Sequence, residues 1–90
     1  MDTTPRAEHG AETVLVRYWA GARAAAGVDE ERLAAPTTVA DLVSRLASTH
    51  PALAAVLPVC SVLVEGRAGT GDDPVPAGAV VEVLPPFAGG

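Results

Sequence analysis

The sequence predicts one α+β domain: a mixed sheet of four to five short strands packed on one main α-helix. Three observations carry that prediction. An opening segment alternates apolar and other residues with period two, a central segment places its apolar residues with helical spacing, and two further Val-rich runs are bounded by turn residues.

The opening segment is "TVLVRYW", Thr13 to Trp19. Val14, Val16 and Tyr18 fall on one side of the extended chain, and Leu15, Arg17 and Trp19 fall on the other. The first side reads as core; the Arg17 and Trp19 side is left to meet solvent or a partner. "AGARAAAG", Ala20 to Gly27, is Ala-rich between glycines and reads as a turn or a short helix. "ERLAA", Glu31 to Ala35, reads as a second strand stopped by Pro36, pairing with the first like a hairpin with a long connection.

"TVADLVSRLASTHP" follows. Val39, Leu42, Val43, Leu46 and Ala47 occupy one helical face. Thr38 is the natural N-cap, with Asp41 completing a capping box and complementing the helix dipole. Arg45 stands four residues on to pair with Asp41, and Pro51 marks the end. "ALAAVLP" reads as one further helical turn before Pro58. "CSVLVEGR", Cys60 to Arg67, is a third strand running into a turn at Gly66. Gly69, Gly71, Asp72, Asp73 and Pro74 make a loop, a minor strand is expected near Val75, and Pro76 to Gly78 form a turn. "AVVEVL", Ala79 to Leu84, is the last strand, with Val81 and Val83 on one face and Val80, Glu82 and Leu84 on the other. Residues 1–12, polar and without periodicity, are expected to be a disordered extension. Residues 13–84 form the domain, and residues 85–90 a flexible functional tail.

The composition narrows what such a domain can do. With 90 residues there is room for one modest core and little room for an enclosed active site, so a partner is expected to supply the pocket. The chain is 49% hydrophobic and 19% charged but only 3% aromatic, so the core must come from Val, Leu and Ala. Net charge is -5, and all six basic residues are arginines: Arg6, Arg17, Arg23, Arg32, Arg45 and Arg67. Such a chain is a poor binder of nucleic acid and of anionic membranes, and its expected partner is a protein with a basic face. With one cysteine, Cys60, an intramolecular disulfide is excluded. The N-terminal residues lack the apolar stretch of a signal peptide, which makes the cytoplasm the expected location.

There is no phosphate loop, no C-x-x-C and no metal-ligand spacing; Asp72 and Asp73 read as a solvated turn. His9 and His50 are poorly placed to activate Cys60, which reads as an inert core thiol. Trp19 with Arg23 just beyond it reads as an anchor pair for a protein interface, or as a tryptophan packed under a loop.

The C-terminal "LPPFAGG" carries the chemistry. Pro85 and Pro86 cannot continue a ladder and direct the chain away from the sheet. Six residues from Pro85 to Gly90 span at most about 20 Å at roughly 3.3 to 3.6 Å each. Gly89 and Gly90 lack side chains and suit a narrow tunnel. A chain finishing at Gly90 presents an α-carboxylate that is ionised at neutral pH, a nucleophile toward phosphorus but a poor electrophile. Adenylation by ATP turns it into an acyl phosphate, and a sulfur nucleophile then displaces AMP to leave a thiocarboxylate.

On "VRYWAGARAAAG", "TVADLVSRLASTHP", "SVLVEGR" and "PAGAVVEVLPPFAGG", from Val14 to Gly90, the chain resembles the ubiquitin-like sulfur carriers, most closely the small subunits of molybdopterin synthase. The resemblance implies a β-grasp fold with the first and last strands parallel and adjacent in mid-sheet. It implies that Gly90 is adenylated by an E1-like enzyme and thiocarboxylated, with Gly89 as its required neighbour. It also implies that Trp19, Arg23 and Leu84 contact the partners, and that Pro85, Pro86, Phe87 and Ala88 insert into the large synthase subunit. The assembly implied is a heterotetramer of two small and two large subunits delivering two sulfurs to cyclic pyranopterin monophosphate. On this reading the chain is no enzyme by itself and binds no cofactor of its own, ATP being used by the adenylating partner. The same thiocarboxylate serves carriers for thiamin thiazole or cysteine synthesis, and an unmodified β-grasp binding module or a protein conjugated through Gly90 is the further alternative. "VEG" stands where many relatives have Asn or Asp before the glycine, a departure expected to alter a turn.

Overall fold

The computed structural model describes residues 13–36 and 38–86. The expected disordered extension over residues 1–12, and the tail residues Phe87 to Gly90, lie outside the described residues.

Five strands form one mixed sheet in the order β2-β1-β5-β3-β4. They are β1 (Thr13–Tyr18), β2 (Glu30–Ala34), β3 (Ser61–Val64), β4 (Arg67–Ala68) and β5 (Val80–Leu84). The central pair is β1 with β5, parallel, with Leu15 opposite Val80 and Tyr18 opposite Val83. All other pairings are antiparallel. This is the β-grasp arrangement.

The connection from β1 to β2 is helix α1 (Ala20–Ala26), closed by Gly27 in the left-handed conformation at φ 81°. Of the two readings open for that Ala-rich stretch, the helix is correct. Helix α2 (Val39–Thr49) begins where expected: the Thr38 hydroxyl accepts the Asp41 N–H at 3.1 Å. Arg45 closes on Asp41 at 3.0 Å and also donates to the Ala34 carbonyl at 3.0 Å, which ties α2 to the end of β2. Pro51 starts a single turn, α3 (Pro51–Ala54), and a 3-10 turn over Leu57–Val59 carries the helical path through Pro58 instead of stopping before it.

The inner face of the sheet and the helices share one core. Val14, Val16, Tyr18, Val81 and Val83 meet Leu42, Leu46 and Leu53, all at 3% exposure or less. Tyr18 is the sole aromatic among the described core residues, so branched aliphatics and alanine do the filling, as composition required.

The minor strand is not near Val75; it is Arg67–Ala68. Glu65 and Gly66 both take left-handed backbone, φ 51° and 82°, so the chain reverses in two residues and pairs with β3 at once. Near Val75 the pairing is limited to an isolated antiparallel bridge between Thr38 and Pro74; Pro74 and Pro76 have no N–H to extend it into a ladder, and the Val75 side chain is buried in the core. Glu65, the residue that departs from the expected Asn or Asp, has a compensating bond. Its carboxylate accepts the Val80 N–H at 2.6 Å while its own N–H donates to the Val80 carbonyl at 2.9 Å. No described helix is long and apolar enough to cross a membrane.

Candidate functional site: the root of the tail and the open sheet face

β1 and β5 run parallel and end together, so Trp19 and Leu84, far apart in sequence, become neighbours. The Trp19 N–H donates to the Val83 carbonyl at 3.2 Å. The Trp19 carbonyl in turn accepts from Ala22 at 2.9 Å and Arg23 at 3.3 Å, starting α1. Between them Ala20 takes left-handed backbone, φ 48°, a conformation that costs an L-residue roughly 1 to 2 kcal/mol and turns the chain sharply from strand to helix. Pro85 packs beside that turn, its Cγ within van der Waals distance of where a Cβ on Gly21 would sit. The structure therefore brings Trp19, Arg23, Leu84 and Pro85 to one rim, with exposed Pro86 leading off it.

Trp19 keeps 41% of its surface in water, which decides against packing under a loop. Its ring is held by the Arg17 guanidinium, 5.7 Å from the ring centroid, a cation–π contact of about 0.5 to 1 kcal/mol at such an open position. Arg17 also reaches Glu30 at 3.4 Å, and Arg23 reaches Asp29 at 3.7 Å. Both pairs are solvent-exposed and contribute little to stability.

Below this rim the outer face of the sheet is uncovered. The register aligns Leu15 with Val80, Arg17 with Glu82, Glu82 with Leu63, and Leu84 with Ser61. Apolar side chains on this face, Leu15, Leu63, Val80 and Leu84, remain partly exposed. The period-two alternation of β1 and β5 places Arg17 on the side left to solvent or a partner and Val80 and Glu82 on the face of Leu84, but gives none of the three a site role; the sheet register brings them together.

Cys60, His50, Glu31 and Tyr18 are committed elsewhere. The Cys60 thiol donates to the Val56 carbonyl at 3.3 Å, and burial pushes its pKa above the ordinary thiol value, which disfavours the nucleophilic thiolate. His50 Nε2 lies 2.5 Å from a Glu31 carboxylate oxygen that also accepts the Tyr18 hydroxyl at 2.5 Å. Burial, then the Glu31 hydrogen bond and charge, hold the Tyr18 phenol above its usual pKa. These three groups knit β1, β2 and the α2–α3 junction on the inner side. Among the described residues no group of three or more His, Cys, Asp or Glu side chains could hold a metal ion. The recess at the rim, lined by Arg17, Trp19, Arg23 and Asp29 among others, is about 140 Å³, below the 300 to 1,000 Å³ usual for small-molecule sites. Phe87, Ala88, Gly89 and Gly90, the expected inserted and reactive residues, lie outside the described residues.

With this geometry in place, comparison with known proteins is informative. The chain is similar over 83% of its length to a Pyrococcus furiosus protein assigned as molybdopterin converting factor subunit 1, of which it covers 98%, at 30% identity and a TM-score of 0.76. It is similar to the small archaeal modifier protein 1 of Haloferax volcanii at 26% identity and a TM-score of 0.73, over 87% of this chain and 99% of that one. The complex of subunits 1 and 2 of the Helicobacter pylori molybdopterin-converting factor contains the same fold, at 22% identity and a TM-score of 0.65, over 87% and 99% of the two chains. No curated protein sequence matches. The family model for the ThiS family matches residues 16–90, from mid-β1 through the Gly-Gly end, and the chain belongs to that family of ubiquitin-like sulfur carriers.

Proposed function

We propose that this chain is the sulfur-carrying small subunit of a molybdopterin synthase. The observation that carries the reading is where the tail is rooted. β5 lies in mid-sheet, paired with β1 on one side and β3 on the other, so "PPFAGG" starts from a strand held on both edges and from a rim at which Trp19 and Leu84 stand exposed or partly exposed. A terminal carboxylate launched from there reaches up to about 20 Å from Leu84 at roughly 3.3 to 3.6 Å per residue, into a site that another protein encloses.

The chemistry runs in three steps. An oxygen of the Gly90 carboxylate attacks the α-phosphorus of ATP on an E1-like enzyme and pyrophosphate leaves. Sulfide, or a persulfide whose acyl disulfide product a second thiol then reduces, attacks the acyl carbon and AMP leaves, giving the thiocarboxylate. In the large subunit that sulfur attacks a carbon of cyclic pyranopterin monophosphate and displaces an oxygen substituent from it. Water then hydrolyses the thioester to Gly90, so that the sulfur stays on the pterin and the carboxylate is regenerated, and two carriers supply the two dithiolene sulfurs. This chain's part is to dock through Trp19, Arg23 and Leu84 and to deliver Gly90 through Pro85, Pro86, Phe87 and Ala88. The likeness to a molybdopterin converting factor subunit 1 at 30% identity favours the pterin as destination. The likeness to small archaeal modifier proteins favours a second reading, attachment to other proteins through Gly90.

The test is the intact mass after incubation with ATP, magnesium, a sulfur donor and the E1-like enzyme of the source organism. A gain of one sulfur for one oxygen, lost in a Gly90 deletion, supports a carrier; an unmodified chain refutes it. Molybdopterin formation with the large subunit then supports the pterin role, and an isopeptide bond to target proteins supports the modifier.

A further inference from the structure

We infer that the protein covering the open sheet face brings an arginine or lysine directly to Glu82. The inference rests on the reading above, in which the large subunit docks at Trp19, Arg23 and Leu84; it extends that contact down the adjoining sheet face and adds the partner's chemistry at one position. Glu30, Arg17, Glu82 and Leu63 stand in one row across β2, β1, β5 and β3. The row therefore holds two carboxylates and one cation. The cation is already engaged: Arg17 reaches Glu30 at 3.4 Å and lies under the Trp19 ring. Glu82 is half-buried between Val80 and Leu84 on its own strand and Leu63 beside it, and no hydrogen bond or ion pair among the described residues engages its carboxylate.

In the free protein, water solvates that carboxylate. A partner that seals the surrounding apolar side chains removes the water, and a carboxylate desolvated without a counter-charge is strongly unfavourable. An acidic partner surface is excluded by repulsion, a neutral one is penalised, and a guanidinium or ammonium at hydrogen-bond distance is favoured. The net charge of -5 adds long-range attraction to the same kind of surface. Glu82 thus acts as a specificity residue at the centre of the docking face.

The experiment titrates the full chain against the molybdopterin synthase large subunit of the source organism by calorimetry, using wild type, Glu82→Gln, Glu82→Arg and the remote control Asp72→Asn. Thermal melts confirm folding of each. The expected result is a Kd raised on the order of 30-fold or more by Glu82→Gln, further loss with Glu82→Arg, and a Kd changed less than about threefold by Asp72→Asn. An unchanged or tighter Kd for Glu82→Gln overturns the inference. So does an equal loss from Arg17→Met that is not deepened by adding Glu82→Gln, since the counter-charge would then be the chain's own Arg17 turning from Glu30. If wild type does not bind the large subunit, the pterin reading fails, and the same series against the E1-like enzyme decides the role of Glu82. Binding to neither overturns both.

Discussion

The two faces of the central strands β1 and β5 are written by the same alternation and do opposite work. On the inner face Val14, Val16, Tyr18, Val81 and Val83 are at 3% exposure or less and share one core with Leu42 and Leu46 of α2. On the outer face Leu15, Arg17, Val80, Glu82 and Leu84 stay partly or fully in water. One face carries the core, and the other, on the reading proposed above, carries recognition. Because consecutive residues alternate between them, a shift of register by one residue would exchange the two roles at every position.

The comparison breaks most readily on the inner side. Leu42→Ala removes a fully buried side chain from under the sheet and is expected to cost about 2 to 5 kcal/mol of unfolding free energy, read by urea denaturation. A loss under 1 kcal/mol would mean that the helix–sheet seam is not where stability resides. Trp19→Glu on the outer side should weaken partner binding by about 2 kcal/mol, as loss of an aromatic anchor does, while shifting stability by no more than about 0.5 kcal/mol. Comparable losses in both measurements would erase the distinction between the faces.

Smaller effects sharpen it. Gly66→Ala, at φ 82° with no atom within 4 Å of the added Cβ, tests backbone alone and should cost about 1 kcal/mol without touching binding. Tyr18 supplies a pH signature of the inner face. Its phenol pKa is raised by burial and by Glu31, so the folded state holds the proton to higher pH than the unfolded chain does. That contribution is complete below pH ~10 and declines as pH rises above it. Urea midpoints from pH 8 to 11 should fall for wild type, and less steeply for Tyr18→Phe.

Periodicity is a local property, and what it reveals is local. Alternation in "TVLVRYW" identified the buried side of β1 and the open side with Trp19, and the Val39, Leu42, Leu46 spacing identified α2 together with its Thr38 cap. The parallel pairing of β1 with β5 joins residues more than sixty positions apart, and nothing in either segment encodes it; the likeness to sulfur carriers supplied it. The minor strand was displaced from Val75 to Arg67–Ala68 because a Glu-Gly turn with two left-handed residues is unusual, and its stabilising bond to Val80 comes from a distant strand. The Glu31–His50 contact, bridging β2 and a helix junction, was invisible for the same reason. At the candidate site, Trp19, Arg23, Leu84 and Pro85 were legible as residues, but their meeting at one rim follows only from topology.

That topology also bears on the order of events when the chain is made. β1 leaves the ribosome early but has its parallel neighbour only after Leu84 has been synthesised, since β5 is the strand that separates it from β3. A nascent chain stopped before that point has neither a closed sheet nor the rim at which Trp19 meets Val83. Completion of β5 and the appearance of that rim are one event, so on the reading proposed above a product terminated before Leu84 has no surface with which to occupy a partner.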